Sequence, residues 1–289
     1  MIKPQSLVLL LLIAAATSIP TAMGFAPTGE ETRDGEPTDI LIAAHRGGYE
    51  TDKADRAPEN SVANIHVSQR KGYALYETDI QRTSDGHFVI VHDPTIGRET
   101  TGRGYAKDFT LAELKQLHKR YRDGSVSPRH VATLEKFLRE GKNRTVFKAD
   151  LKPGVSAHFP AIMQLVKKLG AQDGIIFRVP YHEADLFAQY RRDGVFTSPS
   201  QLMFMVSSRA EADDIKIRFN PQWIQISLPR NRPPTPESLN LIRYATSQGL
   251  MVETHAEGGA GGWAKLARAG VRMFHTNTPG ELQKFLHHR

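Results

Sequence analysis

Short apolar runs alternate with amphipathic segments along most of the chain. Nine runs have the length and boundaries of buried strands: Ile40–Ala44, Ala74–Ile80, Phe88–Val91, Thr145–Leu151, Gly174–Val179, Gln201–Val206, Trp223–Ser227, Leu250–Thr254 and Met273–Thr276. Helical spacing of apolar residues is found between them, for example in Ser61–Lys71, Leu111–His118, Leu134–Glu140, Ala161–Leu169, Pro236–Gln248 and Trp263–Arg268. This alternation predicts a parallel α/β fold.

The second and third runs are too close together for a parallel connection. Only residues 81 to 87 separate them, whereas a parallel crossover needs about a dozen residues or more. Asp85-Gly86 is a strong signal for a two-residue hairpin turn. We therefore predict that the third run folds back antiparallel on the second, which leaves eight parallel strands. About 250 residues with eight such strands are the usual size of one (β/α)8 TIM barrel.

The predicted hairpin has a chemical consequence. With Asp85-Gly86 as its turn, Asp79 faces His92, and Glu77 shares that face because side chains alternate along a strand. Two carboxylates about 4 Å apart repel by roughly 4 kcal/mol at an effective dielectric constant of 20, so a cation is expected between them. Carboxylate ligands favour one hard divalent cation, Ca²⁺ or Mg²⁺. The alternative is an exposed strand face with solvated acids.

The N-terminal segment has the pattern of a signal peptide. Lys3 precedes the apolar run Leu7–Ala16, and Ala22-Met23-Gly24 offers small residues for a peptidase. Ten apolar residues are too few for a membrane span, which needs about 20. We predict a signal peptide over residues 1–24 and an exported protein, periplasmic or secreted; an uncleaved anchor is the alternative. Residues 25–38 predict a flexible leader, and residues 39–289 the barrel.

Composition limits the chemistry. The 289 residues include no cysteine, which excludes a disulfide frame, cysteine-ligated zinc and a thiol nucleophile. Lys and Arg number 38 against 31 Asp and Glu, a formal net charge of +7, which favours anionic partners. The charge is spread along the chain, so we expect a small anionic substrate and no nucleic acid.

Candidate site residues follow the predicted strands. His45-Arg46-Gly47-Gly48 lies directly after the first strand, where barrels build their active sites, and combines an acid/base group with a bidentate anion clamp. Pro58-Glu59-Asn60-Ser61 opens the first helix, and Glu59 alternatively serves the helix dipole. Asp150 and Lys152 share a face at the end of a later strand and offer one more ligand and one more phosphate contact.

The ordered series of these motifs resembles the glycerophosphodiester phosphodiesterase family. The resemblance covers most of residues 40 to 285 and is dense from 45 to 104. It rests on His45-Arg46-Gly47, Pro58-Glu59-Asn60-Ser61, Glu77-Thr78-Asp79, Thr83-Ser84-Asp85-Gly86, Val91-His92-Asp93, Arg98, Thr101, Gly102-Arg103-Gly104, Thr133-Leu134-Glu135, Asp150-Leu151-Lys152-Pro153, Gly270-Val271 and Thr276 to Pro279.

The resemblance implies a barrel like that of phosphatidylinositol phospholipase C, with a small insertion at about residues 94–144. It implies metal-dependent hydrolysis of glycerophosphodiesters to sn-glycerol 3-phosphate and an alcohol, with the substrate's own neighbouring hydroxyl as the attacking group. The roles that it implies are the acid/base pair His45 and His92, the phosphate-binding residues Arg46 and Lys152, the metal ligands Glu77, Asp79 and Asp150, and Glu59 at or beside the metal.

Some positions depart from the family pattern. Asp150 stands where the family usually has Glu, and its shorter stem predicts looser or water-mediated ligation. Glu253-Thr254-His255 replaces a Trp-Thr segment that shapes the glycerol site in relatives, and Thr276-Asn277 replaces Thr-Asp. Glu253 and Trp263 are therefore candidates for the substrate pocket; the alternative is that Trp263 packs on the barrel.

Two other functions remain open at the level of sequence. One is a phospholipase-D-like or sphingomyelinase-D-like phosphodiesterase on the same barrel. The other is an exported barrel that binds anions without turnover. The strongly polar composition of residues 94–144 favours a soluble head-group diester, and the intact set of histidines and carboxylates favours an enzyme.

Overall fold

The computed structural model of the chain describes residues 40–49, 55–228, 233–255 and 259–287. The expected signal peptide and leader lie outside these ranges. None of the helices within them has the length and apolar character needed to cross a bilayer.

Eight parallel strands close into a barrel, with helices between successive strands. The strands in chain order are β1 (Leu41–Ala44), β2 (Leu75–Arg82), β3 (Phe88–Ile90), β4 (His118–Arg120), β5 (Val126–His130), β6 (Val146–Leu151), β7 (Ile175–Pro180), β8 (Leu202–Val206), β9 (Trp223–Ile226), β10 (Met251–His255) and β11 (Val271–Thr276). The barrel order is β1-β2-β6-β7-β8-β9-β10-β11, and β11 pairs with β1 to close it. The chain therefore adopts the predicted (β/α)8 TIM barrel.

The helices are α1 (Val62–Lys71), α2 (Leu111–Gln116), α3 (Leu134–Gly141), α4 (Phe159–Leu169), α5 (Ala184–Arg192), α6 (Arg209–Arg218), α7 (Pro236–Ser247), α8 (Gly259–Ala269) and α9 (Pro279–His287). Hydroxyl side chains begin several of them: Ser61 caps α1, Thr133 caps α3 and Thr235 caps α7 by accepting a hydrogen bond from a backbone amide of the first turn. All nine predicted strands and all six predicted helical segments are present, with most boundaries within two residues of the prediction.

The barrel interior is apolar at one end and polar at the other. An inner layer toward the N-terminal ends of the strands consists of Ala43, Leu75, Val146, Ile176, Met203, Trp223 and Met273. Because side chains alternate along a strand, the residues two positions further on also point inward, and these are charged or polar on most strands. The C-terminal ends of the barrel strands, here called the barrel mouth, thus carry the polar groups.

The β2–β3 hairpin is antiparallel as predicted, but its register is not. Ile80 pairs with Ile90 and Arg82 with Phe88, so paired numbers sum to 170 and the turn has three residues between Thr83 and His87. Gly86 takes a positive φ of 91° there, which suits the left-handed position of a three-residue turn. The predicted pairing of Asp79 with His92 is therefore wrong: the carbonyl oxygen of Asp79 accepts a hydrogen bond from the amide of Val91.

The segment expected to be an insertion contains more than one part. It contains the predicted helix α2 and an antiparallel β4–β5 hairpin that the sequence pattern did not predict. A separate apolar cluster lies beneath them and consists of Val89, Val91, Ile96, Ala106, Leu114 and Val131. Helix α3 lies in the outer ring, where it contacts α1 and α4. Within the described residues, the part added to the barrel thus ends before Thr133.

Candidate functional site

His45 and Arg46 are placed at the barrel mouth by a tight turn directly after β1. Arg46 takes a left-handed backbone conformation with φ of 53°, and Gly47 follows at φ of 93°. A Cβ on Gly47 would lie 2.4 Å from Nδ2 of Asn64 and 2.5 Å from the ring of Tyr76, so only glycine fits. Backbone strain of this kind is typical of functional sites.

His45 is buried in a polar surrounding. Its Nδ1 lies 2.6 Å from Oδ1 of Asn277; because that oxygen only accepts, Nδ1 carries the hydrogen and Nε2 keeps its lone pair. The rings of His255 and His275 lie 5.2 and 4.5 Å away between centroids. Burial lowers the pKa of His45 to about 4, against the opposing effect of Glu77. The ring is therefore unprotonated at neutral pH.

A lysine bridges two carboxylates at the mouth. Asp79 on β2 and Asp150 on β6 are direct neighbours in the sheet, and Nζ of Lys152 lies 2.7 Å from Oδ1 of Asp79 and 2.7 Å from Oδ2 of Asp150. Burial alone would lower the pKa of Lys152, but the two carboxylates outweigh it and raise the pKa. Asn60 donates to Asp79 at 2.7 Å. The two acids thus already share one cation.

Glu77 lies on β2, two positions before Asp79. Its Oε2 accepts the backbone N–H of Arg46 at 3.0 Å and lies 3.9 Å from Nε2 of His45 and 3.6 Å from Nε2 of His275. Burial opposes ionisation, but His45 and Lys148 hold the pKa of Glu77 below its usual value. Glu77, Asp79 and Asp150 have the oxygen chemistry that suits a hard divalent cation, but they are not among the groups of described residues whose ligand atoms lie within 4.8 Å of one another.

Glu59 binds the side chains of Arg46 and Arg98. It accepts hydrogen bonds from Arg46 at 3.0 Å, from Arg98 at 2.8 and 3.0 Å, and from the hydroxyl of Tyr49 at 2.9 Å. Burial would raise its pKa, but Arg98 and Arg46 lower it to about 2. Both carboxylate oxygens are engaged, so the contacts of Glu59 fit a role in holding Arg46 rather than in binding metal directly.

His92 reaches the mouth from the connection after β3. Its Nδ1 lies 2.6 Å from Oδ1 of Asp93, and Glu99 accepts the backbone N–H groups of both residues at 2.9 Å. The side chains of Glu99 and Lys119 are completely buried and lie 3.4 Å apart. His92 and Lys152 line a cleft of about 790 Å³, whereas His45 and Arg46 line a separate cleft of about 390 Å³. The inserted segment therefore positions His92 through Lys119 and Glu99.

The two candidates for the substrate pocket lie elsewhere. Trp263 is buried in the helical layer, where its ring lies 5.4 Å from that of Phe285 on α9, as in the alternative weighed above. Glu253 is completely buried inside the barrel and receives a 2.6 Å hydrogen bond from Nζ of Lys148. Neither residue is among those that line the 790 Å³ cleft.

Several polar groups near the mouth were missed as site residues. Lys148, Arg178, His255 and His275 lie on barrel strands near the acids. Arg178 contacts Asp150 at 3.1 Å, and Lys148 lies 3.3 Å from Nδ1 of His275. The sequence pattern could have identified them, because each lies an even number of positions from an inward-facing residue of its strand.

Two groups of the described residues are close enough to hold a metal ion, one made of His45, His255 and His275 and the other of His92, Asp93 and Glu99.

Comparison with known families gives one match to this chain. The family model described as the glycerophosphoryl diester phosphodiesterase family matches residues 45–252. A glycerophosphodiester phosphodiesterase of Bacillus subtilis is 32% identical over 151 residues, which are 46% of this chain and 49% of that protein. One from Caldanaerobacter subterraneus is 43% identical over 77 residues, 27% of this chain and 30% of that protein. The aligned chain thus spans less than half of each of these curated relatives.

Solved structures agree on the fold. A glycerophosphoryl diester phosphodiesterase from Parabacteroides distasonis superposes with a TM-score of 0.72 at 21% identity, covering 94% of this chain and 93% of that one. A phosphodiesterase from Oleispira antarctica in complex with the product sn-glycerol-3-phosphate gives a TM-score of 0.69 at 19% identity, covering 89% of this chain and 100% of that one. At these identities the likeness establishes the barrel.

Proposed function

The chain belongs to the glycerophosphoryl diester phosphodiesterase family, and on that premise we propose that it hydrolyses glycerophosphodiesters to sn-glycerol 3-phosphate and an alcohol with the help of a divalent cation. The observation that carries the proposal is the meeting of an unprotonated His45, the clamped Arg46 and the Asp79–Lys152–Asp150 bridge at one barrel mouth. The complex of the Oleispira antarctica relative with sn-glycerol-3-phosphate supports the choice of product.

The phosphate is held by cationic side chains. Arg46 offers a planar guanidinium group, which Glu59 holds while Tyr49 donates to Glu59. Lys152 offers an ammonium group beside Asp79 and Asp150. Positive charge at these points stabilises the oxygens of a phosphodiester as negative charge develops on them. Glu59 holds Arg46, and Asp79 and Asp150 hold Lys152, so both cations are positioned before the substrate binds.

Glu77, Asp79 and Asp150 are the residues that would hold the divalent cation. When bound, the cation supplies charge neutralisation at the phosphate and at the attacking and leaving oxygens. The bridging ammonium of Lys152 already demonstrates the affinity of Asp79 and Asp150 for positive charge. The choice between Ca²⁺ and Mg²⁺ rests on experiment.

His45 and His92 divide the proton transfers. His45 has a free lone pair on Nε2 and remains neutral down to about pH 4, so it acts as the base that accepts a proton from the attacking hydroxyl. His92 donates its Nδ1 hydrogen to Asp93, which orients the ring, and in its imidazolium form it carries a second hydrogen on Nε2 that it delivers to the leaving alcohol. The attacking group is the neighbouring hydroxyl of the substrate, as the resemblance implies, and its attack expels the alcohol and forms a cyclic phosphate. Water then opens this ring to give sn-glycerol 3-phosphate, so no nucleophile from the chain is needed.

The proposal is tested with a panel of diesters. Coupled detection of sn-glycerol 3-phosphate is carried out on glycerophosphocholine, glycerophosphoethanolamine and glycerophosphoinositol, and released choline is measured with lysophosphatidylcholine and sphingomyelin, the substrates of the alternative function. We expect release from the soluble diesters, loss of activity with chelator and recovery with Ca²⁺ or Mg²⁺. Full activity under excess chelator would contradict the proposed metal dependence. Head-group release only from the lipids would favour the phospholipase-D-like function, and binding of diesters without turnover would favour the anion-binding barrel.

Export is a further proposal, and it rests on Lys3 and the apolar run Leu7–Ala16. N-terminal sequencing of the exported protein should begin near Phe25. An intact Met1 on a cytoplasmic species would contradict the signal peptide.

A further inference from the structure

Three imidazole rings converge inside the barrel mouth. One ligand nitrogen from each of His45, His255 and His275 lies within 4.8 Å of the other two. The rings of His255 and His275 are 4.6 Å apart between centroids. His45 lies in the turn directly after β1, and His255 and His275 lie on β10 and β11; these three strands are neighbours in the barrel. Three imidazoles in one place form a typical ligand set for zinc and similar ions.

The surroundings of two of these rings fit metal ligation. Asn277 accepts the Nδ1 hydrogen of His45 and leaves Nε2 with its lone pair. Nε2 of His275 is buried without a hydrogen-bond partner, and Nδ1 of the same ring lies 3.3 Å from Nζ of Lys148 and 3.6 Å from Oε1 of Glu253. Ligating histidines almost always hydrogen-bond an amide, carbonyl or carboxylate through their other nitrogen. Asn277 is such a partner for His45; for His275, ligation through Nε2 requires the hydrogen to move to Nδ1, where Glu253 is the available acceptor.

An acidic oxygen lies beside two of the three rings. Oε2 of Glu77 lies 3.9 Å from Nε2 of His45 and 3.6 Å from Nε2 of His275. A tetrahedral site with zinc–nitrogen distances of 2.0–2.1 Å requires ligand atoms about 3.4 Å apart. The observed separations lie within 4.8 Å, so the ligand atoms must move closer together when the ion binds.

We propose that His45, His255 and His275 form a site for a borderline transition-metal ion such as Zn²⁺, which uses nitrogen ligands and borders the carboxylate site for a hard cation at Glu77. Because the ion occupies Nε2 of His45, its binding removes the base and inhibits hydrolysis. The binding half stands on the geometry alone, and the inhibitory half rests on the proposed function.

The binding half is tested with the full chain after chelator treatment and dialysis. Zn²⁺ affinity is measured by calorimetry, and Co²⁺ is used as a spectroscopic probe, since nitrogen-rich four-coordinate Co²⁺ absorbs far more strongly in the visible than six-coordinate Co²⁺ with oxygen ligands. Changing a residue outside the ligand shell typically lowers metal affinity 10–100-fold, so His255→Gln and His275→Ala should each lower Zn²⁺ affinity by at least about 100-fold and abolish the strong Co²⁺ bands. Half-buried His255 is the safer position if His275→Ala fails to fold.

A histidine pair in the insertion provides the matched control. His118 and His130 have their rings 4.4 Å apart on the exposed β4–β5 hairpin, and the double variant His118→Ala/His130→Ala should keep the tight Zn²⁺ site. Equal Zn²⁺ affinity in wild type and His255→Gln, or loss of the tight site in the hairpin variant, would overturn the proposal.

The inhibitory half is measured as turnover at saturating Ca²⁺ or Mg²⁺ with added Zn²⁺, relative to the uninhibited rate of each variant. We expect Zn²⁺ to inhibit wild type and the inhibition constant of His255→Gln to rise in parallel with its dissociation constant. Zn²⁺ inhibition that is unchanged in His255→Gln would refute the inhibitory role. Tight Zn²⁺ binding without turnover under any condition would instead refute the proposed function and leave the imidazole site standing.

Discussion

The buried ion pair between Lys148 and Glu253 allows a sharp test of what the polar interior of the barrel contributes. Nζ of Lys148 and Oε1 of Glu253 are 2.6 Å apart, and both side chains are completely inaccessible. Their attraction is about 6 kcal/mol at an effective dielectric constant of 20, before the larger part of it is offset by desolvation. Removing one partner leaves the other charge buried, which typically costs about 3–5 kcal/mol of stability.

We therefore expect Lys148→Met and Glu253→Leu each to lower the free energy of unfolding by about 3–5 kcal/mol. For a barrel of this size the melting temperature should fall by roughly 6–20 °C. The double variant, with two apolar side chains of similar volume, should lose much less than the sum of the single variants, because a well-packed apolar pair often replaces a buried ion pair at no cost.

The assay is denaturant unfolding of the four proteins in a double-mutant cycle, with Glu135→Ala as a control. Glu135 makes an exposed ion pair with Arg139 on the surface of α3, and its loss should leave the free energy of unfolding unchanged. Additive losses in the cycle, or single variants as stable as wild type, would refute the reasoning. A change confined to KM for the substrate would restore Glu253 to the substrate pocket.

Three further outcomes are expected. His45→Ala and His92→Ala should each lower kcat by about 10²–10⁴-fold, and a nitrophenyl diester should rescue only the His92 variant, because its leaving group needs no acid; rescue of both variants, or of His45→Ala alone, would contradict the division of labour. Because the pKa of buried His45 is lowered to about 4 from 6.5, the acidic limb of the kcat/KM profile should lie near pH 4. The free energy of unfolding should fall by about 3 kcal/mol as the pH drops from 6.5 to 4, because the unfolded chain binds the proton in that range and the folded chain does not. An acidic limb at pH 6.5 with constant stability would contradict this prediction. Trp263→Ala should destabilise the fold by about 3–5 kcal/mol with unchanged KM, and a stable variant with raised KM would return Trp263 to the substrate pocket.

The sequence predicted the barrel well, because its signals are local. Each strand is a short apolar run with clear boundaries, and the motif His45-Arg46-Gly47 lies directly after one of them. The resemblance implied that Asp79 and Asp150 lie together, and they are neighbours in the sheet. The strands and the place of His45 could be inferred from spacing, whereas the meeting of the two acids was implied by the resemblance.

What could not be predicted depends on a single residue of register or on distant pairs. Both a two-residue turn at Asp85-Gly86 and the observed three-residue turn are compatible with the local sequence, and the difference moves the partner of Asp79 from His92 to Val91. Lys148 and Glu253 are 105 positions apart in the chain, so their pairing follows only from the closed barrel. The short β4–β5 hairpin consists largely of polar residues and has no apolar alternation to reveal it.

The most direct test of the central claim is the identity of the phosphorus-containing product. Metal-loaded protein is incubated with sn-glycero-3-phosphocholine and followed by ³¹P NMR, with His45→Ala in parallel. We predict that the diester signal is replaced by that of sn-glycerol 3-phosphate in wild type and persists in the variant. Formation of phosphocholine, or equal turnover by both proteins, would contradict the account.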